Sequence, residues 1–361
     1  TTTKTNMKTF RETNMNRLLI AALPLAGLAL AVPANADDVA DFYKDKTVTA
    51  ISGGGAGGGF SFVARVLGRH MAANIPGKPN WVVKAMPGAG GARSIKYIVN
   101  AAAQGGTTIG AVLPPSILSP LLRKKVGYDS AKLQWIGSVT AQASVLVAWK
   151  TSPAKTLKQV QKTQVTTATS SKLSSGYLFP AWMNATIGTK FKVIPGYRGA
   201  DRQNAAMETG EVNGRSSFYN SFKTTKPHWL RDKTIIPLVY MGPKTADLKG
   251  VPYMMDLMKT KEQREIANFL QTGSQVSNGF FVSPAVPKAR VMALRAAFNK
   301  TVASKAFLAE AKKRNMVVAP VRGEALDAIV AAAMKTSPAT IKKFKKLVKI
   351  DKLKPRKRKK K

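Results

Sequence analysis

The sequence predicts an α/β fold built from two domains. Short β-prone runs alternate with glycine-rich turns and with segments whose apolar residues recur at helical spacing, an order typical of sheets covered by helices. A chain of 361 residues is too long for one minimal core and about right for two domains of ordinary size. Its 44% of apolar residues can fill such cores, which argues against wholesale disorder.

The first part of the chain alternates strands and helices. The run TVTAI, residues 47–51, predicts a strand. In FSFVARVLGRHMAANI, Val63, Val66, Leu67 and Met71 lie on one helical face, which predicts a helix. The segments that follow are a strand in NWVVKAM, a turn at PGAGG, a helix in ARSIKYIVNAAA and a strand in TTIGAVL.

The later segments keep this alternation. Strands are predicted in SVLVAWK, QVTTAT, KFKVIPGY, the end of EVNGRSSF, TIIPLVYM and SNGFFVSPAVP. Helices are predicted in KTLKQVQK, after the loop TSSKLSSG, in GADRQNAAMETG, and in KARVMALRAAFNKTV, KAFLAEAKKRN and GEALDAIVAAAMK.

The N-terminus predicts a secretory signal peptide. Basic residues, Lys8, Arg11 and Arg17, precede an apolar run over residues 18–32, and a small-residue pattern ends at Ala36. We expect a leader and signal peptide over residues 1–36, cleavage after Ala36, and export. The alternative is a membrane anchor, but the run is shorter than the roughly 18 residues that a span needs.

The charge balance is strongly basic. There are 58 Lys and Arg residues against 18 acids, a net charge of +40, and Asp129 is the only carboxylate between Lys46 and Ala200. One interpretation is a cationic surface for nucleic acid, another polyanion or a membrane. The favoured one is a globular protein whose surface acids have been replaced, because its lysines stand singly among apolar residues, whereas basic domains that read nucleic acid usually cluster their charge on one element and interleave aromatics.

The stretch GGGAGGG, residues 53–59, joins the first strand to the first helix. Such a loop exposes backbone N–H groups beside the positive end of a helix, which is a favourable site for an anion. The alternative is a tight or flexible turn. The residues predicted to bind a ligand here are Ser52, Gly57, Gly58, Gly59, Phe60 and Ser61.

Two loops of the later part have similar chemistry. TSSKLSSG and GYRGA both enter predicted helices with hydroxyl or amide groups, and the second adds a guanidinium. A plain polar loop is the alternative for each. The predicted ligand-binding residues are Ser170, Ser171, Ser174 and Ser175 in one loop, and Tyr197, Arg198, Gly199 and Ala200 in the other.

Dinucleotide binding is a weaker alternative. Gly53, Gly55 and Gly58 satisfy G-x-G-x-x-G, but a run of glycines meets almost any glycine pattern. The fingerprint also needs an acid after the second strand, and residues 83–86 are Val-Lys-Ala-Met. We therefore expect no cofactor, and rank a nicotinamide-dependent enzyme behind a binding protein.

The sequence contains few residues in patterns typical of catalysis or metal binding. The two histidines, His70 and His228, have no partner spacing that suggests a metal site or a general base. The absence of cysteine excludes disulfides, thiolate metal sites and cysteine nucleophiles. We expect no enzyme and no metal.

Many segments together resemble the periplasmic receptors of tripartite tricarboxylate transporters, the Bug or TctC-like family. They include IPGKPNWVVKAMPGAGG, WIGSV, VAWKTSPAKTL, GTKFKVIPGYRGA, AMETGEVNGR, KPHWLRDK, VPYMMDLMKT and FFVSPAVPKARVMALRAAF, and they extend from about residue 42 to residue 348. The resemblance implies a type II-like, two-lobed binding protein without catalysis. Each lobe would hold a mixed, mostly parallel sheet flanked by helices, with a ligand cleft between the lobes.

The resemblance also implies partners and boundaries. The ligand would be a small organic carboxylate, such as a di- or tricarboxylate, delivered in the periplasm to the permease subunits of the transporter. Nonspecific polyanion binding by the Lys/Arg surface and tail is a further expectation. Lobe 1 would span residues 42–140 and 276–350, lobe 2 residues 141–275, and a basic disordered tail residues 351–361.

The chain departs from the family pattern at its loops. Ser61 and Ser175 stand where the family has Asp, as does Asn213 in GEVNGR. Lys172 and Leu173 place side chains where small residues are usual. These departures remove negative charge and bear on which ligand the chain takes.

Overall fold

Two β-sheets organise the molecule. The computed structural model describes residues 35–123, 125–197 and 199–351. The first sheet has six strands and the second has five. In chain order the strands are β1 (Thr47–Ser52), β2 (Asn80–Ala85), β3 (Thr108–Ala111), β4 (Gln134–Ser138), β5 (Ser144–Trp149), β6 (Val165–Thr169), β7 (Phe191–Pro195), β8 (Gly214–Phe218), β9 (Ile235–Met241), β10 (Gly279–Val282) and β11 (Val321–Arg322).

Five strands of the first sheet, all except β11, have the same topology as the second sheet. The first runs β2-β1-β3-β10-β4-β11 and the second β7-β6-β8-β5-β9. In each, one strand lies antiparallel between two others: β10 between β3 and β4, and β5 between β8 and β9. The remaining long strands of each sheet share one direction, which confirms the predicted mixed, mostly parallel sheets.

Helices cover both sheets. Those of the described residues are α1 (Asn35–Tyr43), α2 (Gly59–Met71), α3 (Ala92–Asn100), α4 (Ser119–Leu122), α5 (Leu157–Val160), α6 (Ser175–Ile187), α7 (Ala200–Glu208), α8 (Tyr219–Thr225), α9 (Pro227–Arg231), α10 (Lys261–Gln275), α11 (Lys288–Ala303), α12 (Lys305–Lys313), α13 (Gly323–Met334) and α14 (Pro338–Leu347). Over the residues the structure describes, none of these helices is long and apolar enough to cross a bilayer.

Strand β5 shows why the second sheet is buried on both faces. Val145 and Val147 pack in one apolar cluster, with α7 and α9, whereas Leu146 and Ala148 pack in another, with α6, α10 and α14. Since successive side chains of a strand point to opposite faces, a continuous apolar run is what a doubly covered strand requires.

The chain crosses between the sheets twice, at 139–143 and at 276–278. The crossings lie side by side, because the Val139 amide donates to the Asn278 carbonyl at 3.2 Å and the Gln142 amide to the Ser274 carbonyl at 3.0 Å. The lobe boundaries at 140/141 and 275/276 stay a prediction, as does the tail, whose last ten residues lie outside the described part. The leader and the apolar run of residues 18–32 lie outside it as well.

The helices differ from the expectation in several places. The segment KTLKQVQK forms only one helical turn, α5, because its chain then turns back to start β6. The long helix α10 and the terminal helix α14 were not predicted. α14 packs on the second lobe, with the Phe344 ring centroid 6.0 Å from that of Trp182 on α6.

Candidate functional site

The first glycine-rich loop follows β1 and enters α2. All six of its glycines are described, and none has a positive φ. Gly53 is needed for packing, since a Cβ there would lie 3.0 Å from Ser94 Oγ. At Gly55, Gly57 and Gly59, by contrast, an added Cβ would meet no atom within 4 Å. Neither turn geometry nor packing therefore requires glycine at these three positions.

The two serines of the first loop hold its backbone. Ser52 and Ser61 are fully buried. Ser52 Oγ accepts from the Gly54 amide at 3.2 Å, and Ser61 Oγ donates to the Gly55 carbonyl at 2.8 Å. Their hydroxyls are therefore used to shape the loop, while the exposed glycines between them present the backbone.

The N-terminus of α2 is open to an anion. Its N-cap is Gly58, which has no side chain to accept from the first amides, and no acid occupies the first turn. The amides of Gly59, Phe60 and Ser61 therefore have no capping partner within the helix. Arg65 lies close by and donates to the Ala56 carbonyl at 3.0 Å, which adds positive charge to the loop.

The second loop occupies the equivalent place in the other sheet, between β6 and α6. Its N-cap residue Ser174 does not cap the helix, because its hydroxyl bonds to Thr169 Oγ1 and to the Ser171 carbonyl, both at 2.7 Å. Ser170 and Ser171 are exposed and Ser175 is half-buried. The first amides of α6 thus also lack a side-chain acceptor.

The third loop lies beside the second. The amides of Gly196 and Tyr197 both donate to the Thr169 carbonyl, at 3.0 and 3.2 Å. Tyr197 Oη donates to Glu211 Oε1 at 2.5 Å, and this hydrogen bond raises the pKa of the tyrosine. Gly199 adopts a φ of +87° as N-cap of α7. The structure therefore brings two of the three predicted loops together; Arg198 lies outside the described residues.

Arg215 on β8 is a residue that sequence reasoning missed. The residue is 4% exposed, and its guanidinium donates to the Ala200 carbonyl at 3.0 Å, to Asn204 Oδ1 at 2.6 Å and to Ser217 Oγ at 2.8 Å. Burial lowers its pKa to about 10. The sequence feature that could have indicated this residue is an arginine within a strand. Its burial places a positive charge next to the start of α7.

The first lobe meets the second near these loops. Phe60, in the first turn of α2, and Phe218, at the end of β8, lie edge to face with ring centroids 6.4 Å apart. A pocket adjoins the second loop, lined by residues of both lobes including Pro114, Leu173 and Ser175. Sequence reasoning could not find this pocket, because its walls come from segments far apart along the chain.

The two histidines have different surroundings. His70 Nε2 is 2.7 Å from Glu310 Oε2 and so joins α2 to α12, whereas His228 is exposed. Over residues 35–123, 125–197 and 199–351 there is no cluster of three His, Asp or Glu side chains that could hold a metal ion.

Residues 63–347 match the family described as the tripartite tricarboxylate transporter family receptor, TctC. The match covers more than three quarters of the chain. The chain belongs to the TctC receptor family. This family consists of periplasmic solute-binding receptors for tripartite transporters rather than of enzymes, and the resemblance seen in the sequence is confirmed.

Solved structures show the same two-lobed fold as this TctC receptor. The periplasmic binding protein BugD is 20% identical, with a TM-score of 0.63 over 84% of this chain and 98% of that one. MatC from Rhodopseudomonas palustris with bound malate is 19% identical, with a TM-score of 0.61 over 84% and 99%. R. palustris Rpa4515 with adipate is 16% identical, with a TM-score of 0.61 over 84% and 97%. No curated protein matches the chain by sequence.

Proposed function

We propose that this TctC receptor captures a small organic carboxylate between its lobes. The observation that carries the proposal is the pair of equivalent helix N-termini, α2 after β1 and α6 after β6. Neither has a side-chain cap or an acid in its first turn. Uncapped amides at the positive end of a helix favour a carboxylate. Neighbours solved with malate and with adipate support this class of ligand.

The proposed binding residues are those predicted from the sequence. From the first lobe, Gly57, Gly58 and Gly59 and the amides of Phe60 and Ser61 would contact the ligand, with Ser52 and Ser61 holding the loop. The ligand would be contacted from the second lobe by Ser170, Ser171, Ser174 and Ser175. Tyr197, Arg198, Gly199 and Ala200 complete that side.

Closure of the cleft is the proposed mechanism. A carboxylate that touches amides of both lobes has more contacts in the closed form, so its differential affinity shifts the population toward closure. The Phe60–Phe218 contact would exclude water from the closed cleft. The closed receptor would then dock on the membrane permease of the transporter, and no chemical step is involved.

Export and surface charge complete the proposal. A signal peptide cleaved after Ala36 would direct the receptor to the periplasm. The net charge of +40 supports additional, nonspecific attraction of polyanions by the Lys/Arg surface and tail.

Thermal unfolding with a panel of mono-, di- and tricarboxylates, nucleotides and a short DNA tests this proposal. A receptor should be stabilised by one or a few carboxylates at near-physiological salt, by about 2.7 kcal/mol at a concentration one hundred times the Kd. Stabilisation by every polyanion, abolished by added salt, would instead mean that only nonspecific electrostatic binding remains.

A further inference from the structure

The buried Arg215 on β8 is held by neutral groups. Its Nη1 donates to the Ala200 carbonyl and to Asn204 Oδ1, and its Nη2 donates to Ser217 Oγ. The ring centroid of Phe222 lies 5.4 Å from its Cζ. Within the part of the chain that the structure describes, no carboxylate contacts this guanidinium. Its positive charge is therefore not neutralised by a direct ion pair.

This charge acts on its surroundings more strongly than a surface charge. Nε of Arg215 has no hydrogen-bond partner, and Asp201, exposed in the first turn of α7, acts on the guanidinium only through space. Taking a charge out of water is costly, and neutral acceptors replace only part of its hydration. Because solvent screens a buried charge little, Arg215 attracts a nearby anion more strongly than an exposed lysine does.

The contacts of Arg215 also fix the third loop. Ala200, whose carbonyl accepts from Arg215, is the first residue of α7. Gln203, which is buried as well, donates from Nε2 to the Tyr197 carbonyl at 3.0 Å. Both ends of the loop are thus held from the interior, while Gly199 and Ala200 are exposed. An anion at this loop would meet backbone groups whose position Arg215 helps to set.

We propose that Arg215 is a positioning residue for the carboxylate ligand, which holds the start of α7 and adds a buried positive charge behind the exposed part of the third loop. The proposal rests on the proposed function and deepens it, because it gives the second lobe a charge that attracts the carboxylate. No side chain caps α7, so the positive end of this helix and the guanidinium act on an anion in the same direction. Arg215 acts through Ala200 and through its electrostatic field, without touching the ligand.

Calorimetric titration of the full chain, of Arg215→Met and of Arg215→Lys with propionate, malate, adipate and citrate tests the proposal. Methionine carries no charge and packs in apolar surroundings, whereas lysine keeps the charge but loses the fork that donates to three acceptors. For the carboxylate of these four that the unaltered chain binds most tightly, we expect about tenfold weaker binding by Arg215→Met and about threefold weaker binding by Arg215→Lys. Urea unfolding should rank the two variants in the opposite order, because a buried apolar side chain costs less than a buried lysine with fewer partners.

Arg295 on α11 provides the matched control in the first lobe. Its side chain is 12% exposed and donates to the Trp135 carbonyl, but its charge is paired with Glu324 and Asp327. None of these partners belongs to the proposed ligand loops. Arg295→Met and Arg295→Lys should therefore lower stability and leave the affinity for the same carboxylate unchanged.

The outcomes separate this inference from the proposed function. Unchanged affinity in Arg215→Met, or binding by Arg215→Lys no tighter than by Arg215→Met, would overturn the inference and leave a carboxylate receptor. Equal losses of affinity in the Arg215 and Arg295 variants would overturn it as well, and the two lysine variants suffice for this comparison if Arg215→Met does not fold. Failure of the unaltered chain to bind any of the four carboxylates would overturn the proposed function, and this inference with it.

Discussion

Replacing Gly59 with alanine separates the folding role of the first loop from its proposed ligand role. Gly59 is the first residue of α2, it is exposed, and an added Cβ would meet no atom within 4 Å. Its φ lies outside the left-handed region, so alanine can adopt the backbone without strain. The fold alone therefore gives no reason to avoid a methyl group there.

The expected changes in stability and in affinity have opposite signs. Gly→Ala at a compatible position restricts the unfolded chain and raises the free energy of unfolding by about 0.4–1 kcal/mol. A methyl group beside the amide should keep a carboxylate from its donor. Loss of one hydrogen bond to a charged group costs about 1.5–3 kcal/mol, or roughly 10- to 150-fold in Kd.

Gly68→Ala is the matched control in the same helix. A Cβ at Gly68 would lie 2.1 Å from Cδ1 and Nε1 of the half-buried Trp81 on β2, so the helix or the indole must move. Overpacking of this kind costs about 1–3 kcal/mol, more than the about 1 kcal/mol that helix propensity returns. Gly68→Ala should lower stability and leave ligand affinity unchanged, because residue 68 lies two turns from the loop.

Urea unfolding and calorimetric titration with the best carboxylate of the panel measure both quantities. We expect Gly59→Ala to be more stable and to bind more weakly, and Gly68→Ala to be less stable and to bind normally. If Gly59→Ala bound the carboxylate as well as the unaltered chain, the glycines of the first loop would not be the place where the ligand approaches, and the proposed first-lobe contact would be refuted.

Three further predictions concern stability and charge. Hydrogen bonds, the largest from Arg69 and others from His70 and Arg314, lower the pKa of Glu310 from 4.5 to about 2. Because the pKa is lowered in the folded state, these bonds stabilise the fold above pH 4.5, and the stabilisation is lost as the pH falls toward 2. Glu310→Gln should thus lower the unfolding free energy by about 1 kcal/mol at pH 7, after allowance for solvent screening, and the difference should vanish in acid unfolding curves; a constant difference across pH would contradict this. Phe344→Ala should lower the free energy of unfolding in urea by about 3–5 kcal/mol, because the ring is fully buried. Leu347→Ala should change this free energy little, because Leu347 is 39% exposed on the same helix. Equal losses in the two variants would refute the packing of α14. DNA retained on the receptor at low salt should dissociate steeply as salt rises, and retention that is insensitive to salt would argue for a specific nucleic-acid site.

Much of the fold was predictable because its elements carry local signals. Apolar residues at helical spacing predict the helix α2, and an uninterrupted apolar run predicts the strand β5. Among the helices that were not predicted, α10 and α14 carry start signals in the sequence. Thr260 and Gln263 form a reciprocal capping box at the start of α10, with Thr260 Oγ1 accepting from the Gln263 amide at 3.1 Å, and Ser337 with Pro338 begins α14.

The candidate site was predictable only in part. Glycines and serines after strands indicated the loops, since the backbone of such a loop is available to an anion wherever the chain folds as strand, loop and helix. The orientation of a hydroxyl is not a local property. Ser52, Ser61 and Ser174 form hydrogen bonds within their own loops, because the folded backbone places donors and acceptors within reach of their hydroxyls.

The sequence by itself determined the α/β class and the family, because periodicity and the order of motifs are local properties of the chain, and it predicted three loops as candidate anion sites. Only the tertiary structure decided that five strands of the first sheet have the topology of the second and that the second and third loops meet at Thr169. It alone revealed the buried guanidinium of Arg215 and the apolar pocket between Leu118, Leu173 and Leu270. These features depend on which distant segments pack together, and that is set by the burial of apolar surface over the whole molecule rather than by any local pattern.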